Sequence, residues 1–315
     1  MFQIDATSLV DLLPFHGLIP SLKEAFIAGA TVPLRHTHVV SAGDRSGTSL
    51  LMPAWDEFGF YGVKIVNIFP GNRADNLPGL HSTYILHDAR TGVPLAMLDG
   101  DVITSRRTAA AAALAASYLA RDDASRLLVV GAGRVGSLVA PAMSTVRTLR
   151  HIAVWDIDPD AVRRCVDALR EQGLPAEAAA DLEGAVRRAH IVSCATFATA
   201  PLIRAQWLAP GTHLDLIGSF TPAMTEAYPA CFADADVWID TDEALGKSGD
   251  LLNALADNSL VRSAIVGDLA GLCAGRCRGR TDPRRRTVFK AVGTALEDLA
   301  AARLAYRQRQ AAQAG

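Results

Sequence analysis

At 315 residues, half of them apolar and a fifth charged, the chain has room for two globular domains with a core each. A formal net charge of -2 excludes the strongly basic balance that nucleic acid or an anionic membrane selects. No apolar run approaches the ~20 residues of a membrane span, and the opening MFQIDATSLV lacks the basic-then-apolar pattern of a secretory leader, so a cytoplasmic protein is expected.

The first thirty residues hold one amphipathic helix, around Ser21 to Ala28. Four short β-like runs come next, TVPLRHTHVV, SLLMPAWD, FYGVKIVNIF and STYILHDA, separated by Gly, Pro, Asn and Asp clusters, which predicts an antiparallel sheet. Lys64 sits between Val63 and Ile65 on the third run. A lysine desolvated there has a lowered pKa; the alternative is a strand lysine facing solvent. Thr104 is then a good N-cap for a helix from Ser105 to Arg121, rich in alanine. Its first turn would carry Arg106 and Arg107 where the macrodipole prefers acids, and a capping box would put Glu or Gln in place of Arg107. Either an anion meets them or both point into solvent.

At Leu127 to Gly136 the run LLVVGAGRVG passes from four apolar residues into Gly-x-Gly-x-x-Gly, with Gly131, Gly133 and Gly136 at the glycine positions and Arg134 and Val135 between the last two. A buried parallel strand reads as continuous Leu/Val, and glycines let the next turn and helix N-terminus approach a pyrophosphate. Glycine-rich turns also join strands to helices with no ligand. The next apolar run, HIAVWDID, decides for the nucleotide: it ends in Asp156 and Asp158, where an acid accepts the adenosine ribose hydroxyls. That acid repels a 2′-phosphate, and Ile157 beside it is no phosphate-pairing arginine, so NAD, and NADH over NADPH, is the expected cofactor. Pro141 lies inside the expected helix to Arg150 and should kink it.

Strand and helix then alternate: a helix from Pro159 to Gln172, helix and strand in DLEGAVRRAHIVSCAT, and strands in PGTHLDLIG and ADVWIDT. The fold class is α/β, a Rossmann-type doubly wound parallel sheet of about six strands, joined to a discontinuous α+β domain. Thr196 ends one of these strands on the carboxyl edge, where ligands collect; a structural threonine is the alternative. GRCRGRTDPRRR is a solvated arginine-rich loop, without the interleaved aromatics of a nucleic-acid site. TVFKAVGTALEDLAAARLAY is a last helix that packs back on the first domain. The boundaries expected are 1–118 with 287–315 for one domain and 119–286 for the other. Five cysteines are scattered and odd in number, which argues against a disulfide framework, and Cys273 and Cys277 lack further ligands at metal-binding spacing.

GVKIVNIFPGN (Gly62 to Asn72), DARTGVPLAMLDGDVITSRRTAA (Asp88 to Ala110), GAGRVG, the IGSFTPAMTE segment (Ile217 to Glu226) and TVFKAVGTALEDLA (Thr287 to Ala300) together resemble the ornithine cyclodeaminase and mu-crystallin family, in order and over nearly the whole chain. Its members include ornithine cyclodeaminase, an archaeal-type alanine dehydrogenase, and reductases of ketimines and of cyclic imino acids such as pyrroline-2-carboxylate. The resemblance implies that the discontinuous domain binds substrate and forms a homodimer, which also suits a first sheet with an edge to cover. It implies that Arg35, Lys64 and Arg107 surround the substrate carboxylate, that Arg107 also reaches the cofactor, and that Lys64 moves a proton. Arg134 and Val135 would touch the pyrophosphate, Asp156 to Asp158 the ribose, and Ile217, Gly218 and Ser219 the nicotinamide side.

Two positions depart from the family. Phe220 stands where cyclodeaminases and the alanine dehydrogenase carry an aspartate general base, which handicaps amine oxidation. Ala291 replaces a serine expected at the cofactor. The expected activity is therefore NADH-dependent reduction of a small imino acid. The alternatives are ornithine cyclodeamination with a retained NAD⁺ and a non-catalytic, crystallin-like nucleotide binder.

Overall fold

The computed structural model describes residues 1–314, the side chains of Arg73 and Ala314 excepted. The chain divides into two units, Met1–Arg107 with Thr294–Gly315, and Thr108–Gly293; Gly315 itself, the end of the expected segment 287–315, lies outside the described residues.

Unit 1 is a six-stranded sheet with helices. β1 (Phe2–Ile4), α1 (Ala6–Leu12) and α2 (Phe15–Ala28) precede β2 (His36–Ala42), β3 (Arg45–Trp55), β4 (Phe60–Ile68), β5 (Leu80–Asp88) and β6 (Pro94–Asp99), in the order β1-β6-β5-β4-β3-β2. The four runs read as β-like are β2 to β5, and they pair antiparallel as expected. The parallel pairing of β1 with β6 was not legible, because three residues carry no period. Leu9, Leu18, Leu22, Tyr84, Leu86 and Leu98 are fully buried or nearly so.

α3 (Gly100–Leu119) starts five residues before the expected Ser105. Asp99 caps it, accepting a hydrogen bond from Val102 N at 2.8 Å, while Thr104 sits one turn inside and donates to Gly100 O. Arg106 and Arg107 therefore lie in the second turn, beyond the strongest part of the N-terminal dipole.

Unit 2 takes up the rest of α3, then β7 (Arg126–Val130), α4 (Gly136–Ser144), β8 (His151–Trp155), α5 (Pro159–Glu171), β9 (Ala176–Ala178), α6 (Leu182–Arg188), β10 (Ile191–Cys194), β11 (His213–Leu216) and β12 (Ala235–Ile239). The short α7 (Ala244–Lys247) and α8 (Gly249–Ala256), then β13 (Ile265–Asp268), α9 (Leu269–Cys273) and β14 (Arg286–Lys290) complete it. All pairings are parallel, in the order β13-β12-β14-β11-β10-β7-β8-β9. This is the Rossmann-type doubly wound sheet, with eight strands rather than about six, and its order reverses at β7, placing a ligand crevice outside the carboxyl ends of β7 and β10. α4 ends at Ser144, three residues past Pro141, well short of the expected Arg150.

The last helix, α10 (Ala295–Ala314), belongs to unit 1 and packs on α2 and on the sheet from β3 to β6. Its buried Arg303 reaches Glu24 at 2.7 Å and Asp56 at 3.0 Å and lies over the Phe58 ring.

The units thus divide at Arg107/Thr108 and Gly293/Thr294, not at 118/119 and 286/287. Two local causes account for this. The final carbonyls of α3 and the one that follows it are gripped from within unit 2: Arg147 donates to Ala116 and Ser117 O and to Ala120 O just past the helix, and Arg280 to Leu119 O. And Thr287–Lys290, read as the start of the last helix, belongs instead to a strand between β11 and β12, because Val288 and Phe289 suit a buried pleat and Gly293, at φ 79°, breaks the chain before α10. The arginine-rich loop before it is accordingly structured: Arg280 also donates to Asp282 and Arg285 O and to Thr287 Oγ1. Among the described residues no helix is long and apolar enough to cross a membrane.

Candidate active site

Lys64 lies on the face of β4 that also buries Gly62 and Val66, so alternation turns its ammonium inward. There it meets three charged side chains. Asp298 of α10 receives Lys64 Nζ on one oxygen at 2.7 Å and Arg107 Nε on the other at 2.9 Å; Glu297, its neighbour, pairs with Arg107 Nη1. Thr104 Oγ1 accepts from Lys64 Nζ at 3.2 Å. Lys64 and Asp298 are 2% and 0% exposed, Arg107 5% and Glu297 0%, so two cations and two carboxylates are buried together and their formal charges cancel. Burial pushes the Lys64 pKa below its ordinary value, assisted by Arg107 and opposed by Asp298 and Glu297. Burial alone would raise Asp298; the charges of Lys64 and Arg107 outweigh it and hold the carboxyl below its usual range.

The two arginines of α3 have separate fates. Arg106 donates to Leu13 O at 2.8 Å and lies over the Phe15 ring, which commits it to the end of α1. The anions that meet Arg107 are the protein's own. Arg35, half-buried just ahead of β2, makes no ion pair with this quartet among the described residues.

In unit 2 the glycine turn joins β7 to α4. Gly131 has φ +100° and lies so close to the next turn that a Cβ on it would stand 2.6 Å from Ala195 O; a Cβ on Gly136 would stand 1.8 Å from Gly131 O. A Cβ on Gly133 would meet nothing within 4 Å, so the middle glycine faces open space, as a backbone that must admit a pyrophosphate does. Asp156, at the end of β8, accepts Ala132 N at 2.7 Å and Asp158 N at 3.0 Å, which fixes its carboxylate beside the turn. Arg134 and Ile157 are exposed and Val135 is half-buried; Asp158 caps α5 by accepting Asp160 N. These residues fit the adenosine and pyrophosphate part of a dinucleotide.

The carboxyl ends of β10 and β11 are joined by an acid. Glu226, fully buried, accepts Thr196 N at 2.7 Å and Thr196 Oγ1 at 2.9 Å on one oxygen and Gly218 N at 2.7 Å on the other. Burial raises its pKa, and Lys290 opposes the rise. Asp250 of α8 holds the same segment through Glu226 N, Ala227 N and the Thr225 hydroxyl. Ser219 is fully buried, donating to Met224 O and accepting from Asp250 N. Its hydroxyl is engaged inward. Ile217 is buried too, bonded through its N–H to Cys194 O. Phe220 is 43% exposed and meets the exposed Phe197 edge to face at 6.2 Å.

The structure thus brings Lys64 to Arg107, the glycines to Asp156, and Thr196 to Gly218. The sequence reading missed Glu297, Asp298, Glu226, Asp250 and Lys290. A signal existed for the first two: adjacent acids at helical positions otherwise filled by Ala and Leu are buried, and buried acids require partners.

Fold and glycine turn define a protein of the Rossmann dinucleotide class that carries a second, α+β unit with a buried charge quartet. The chain belongs to the ornithine cyclodeaminase/mu-crystallin family, whose profile matches residues 11–313. It is 37% identical over 280 residues to the Delta(1)-pyrroline-2-carboxylate reductase of Paracoccus denitrificans, a match covering 88% of each chain. The structure of the Thermococcus litoralis Delta(1)-pyrroline-2-carboxylate reductase in complex with NADH and L-proline is similar with a TM-score of 0.91 at 29% identity, over 99% of this chain and 98% of that one. An archaeal alanine dehydrogenase dimer with bound NAD is similar with a TM-score of 0.90 at 26% identity, over 99% and 97%.

Proposed function

We propose that the protein is an NAD(H)-dependent reductase of a small cyclic imino acid such as pyrroline-2-carboxylate. The observation that carries this is the pair of buried cations, Lys64 and Arg107, locked on one shared carboxylate. An ammonium and a guanidinium fixed in this way are preorganised to bind the substrate carboxylate and to orient the carbon beside it, and Arg35 adds a third cation. Lys64, with its lowered pKa, holds the proton that the imine nitrogen needs. Bound NADH supplies the hydride. Gly131, Gly133, Arg134, Val135 and Gly136 take its pyrophosphate, Asp156 to Asp158 its ribose, and Thr196 and Ile217 to Ser219 its nicotinamide side. Asp156 beside the exposed Ile157 supports NADH over NADPH, since a carboxylate repels a 2′-phosphate.

Phe220 supports reduction over ornithine cyclodeamination, because the aromatic pair it forms with Phe197 offers no base to an amino group. β2, exposed along its whole length and carrying Val39 and Val40, supports a homodimer covering that edge.

The test is NADH oxidation with pyrroline-2-carboxylate and piperideine-2-carboxylate. Turnover that falls by about two orders of magnitude or more in Arg107→Ala is the expected result. Ammonia and proline formed from ornithine without net change in NADH would overturn it in favour of cyclodeamination. NADH binding without turnover of any of these compounds would overturn it in favour of a simple binder.

A further inference from the structure

The doubly wound sheet has two mononucleotide halves. β7, β8 and β9 carry the glycine turn and Asp156, which serve adenosine and pyrophosphate; β10, β11 and β14 form the other half, and the carboxyl ends of β10 and β11 are where Glu226 sits. We propose that Glu226 is a positioning residue for the nicotinamide half of the cofactor: its carboxylate ties the ends of β10 and β11 together and sets the main chain on which that half is laid.

The geometry is that of a clamp. A carboxylate only accepts hydrogen bonds, and this one faces three donors, the Thr196 amide and hydroxyl and the Gly218 amide. The two strand ends are so close that a Cβ on Gly218 would stand 2.1 Å from Thr196 O and 2.3 Å from Glu226 Oε1. Thr196 in turn touches the glycine turn, its Cγ2 lying 3.0 Å from where a Cβ of Gly131 would be. The acid is itself held. Asp250 fixes the Glu226 and Ala227 amides, and Lys290 on β14 donates to Leu216 O, the last residue of β11, at 2.9 Å while standing 3.7 Å from Asp250. Glu226 and Lys290 thus hold main chain at the ends of β10 and β11, and Asp250 holds the segment that carries Glu226. Asp156 and Ala132, on the adenosine side, take no part in it.

This chemistry predicts a split between two ligands. Glu226→Gln keeps the size of the side chain but turns an amide NH₂ toward a backbone N–H, so one strand end loses its acceptor. The inference rests on the reading of unit 2 as the NAD unit, and ADP-ribose, which has every part of NADH except the nicotinamide, separates the two. Calorimetric titration of full-length protein should show Glu226→Gln losing about tenfold or more in NADH affinity while ADP-ribose affinity stays within about twofold. Thr196→Val, which removes the hydroxyl arm along with the acceptor of Ala198 N, should show the same split at about threefold, and it carries the test where Glu226→Gln fails to fold. A parallel loss for both ligands, or no loss for either, would overturn the clamp while leaving the cofactor reading intact. Wild-type protein that bound neither ligand would overturn both.

Discussion

In unit 1, Lys64 and Arg107 face Glu297 and Asp298, side chain against side chain; in unit 2, Glu226 and Asp250 face mainly backbone amides. Both clusters are buried, and both tie together segments distant in sequence, yet they fix different things. The quartet fixes charged side chains, each cation against a carboxylate. The clamp fixes main chain. Removing a member of the first strands a charge, whereas removing a member of the second strands an amide, and the penalties differ accordingly.

The largest effect should come from Asp298→Ala, which leaves both cations with Glu297 alone. A loss of about 3–5 kcal/mol in urea unfolding is expected, smaller in the double variant Lys64→Met/Asp298→Ala, where no unpaired ammonium remains. Glu226→Gln should cost about 1–3 kcal/mol in the same measurement. A loss as large as that of Asp298→Ala would break the contrast between the two clusters.

Two buried groups on β11 sharpen it through pH. Asp215, bonded to Ser193, is pushed up by burial to about 7 from 3.8, and His213 is pushed down by burial to about 3 from 6.5. A carboxyl with a raised folded pKa contributes its full stability below about pH 4 and loses it as pH rises through 7. A histidine with a depressed pKa contributes fully above pH 6.5 and loses it as pH falls toward 3. Between pH 6 and pH 8 the wild type should therefore lose on the order of 1 kcal/mol that Asp215→Asn does not, by thermal melts at both values. The smallest effect belongs to the exposed Ile157 beside Asp156. Ile157→Arg, on a side chain 84% exposed, should leave stability unchanged and raise NADPH use relative to NADH by about three- to tenfold in the ratio of kcat/KM values.

Legibility in the chain alone divides along the same contrast. The glycine turn, Asp156 and the strand–helix alternation were legible because their signals are local: a hydrophobic run, a turn, an acid at a strand end. Lys64 and Arg107 were legible as cations in improbable places, one on an apolar strand and one near a helix start. Their partners were not, since Asp298 lies 234 residues beyond Lys64 and no period links them. Asp99 caps α3, but Thr104 ahead of the alanine-rich run offered an equally good capping side chain five residues later. β14 was lost to helix because Thr-Val-Phe-Lys is short enough to fit either period, and only its pairing with β11 and β12 decides. Glu226 sits in a loop, where sequence offers no expectation of burial.

β14 and α10 come from the same final stretch, residues 286–314, and each unit needs one of them. Without β14, β11 and β12 have no neighbour between them; without α10, the sheet from β3 to β6 has lost a helix that covers it. Unit 1 brackets unit 2 in the chain, so α10 can take its place on unit 1 only after every strand of unit 2, β14 included, has been made. A chain cut ahead of Arg286 would lose β14 and α10 together and leave both sheets open, a substrate for proteases.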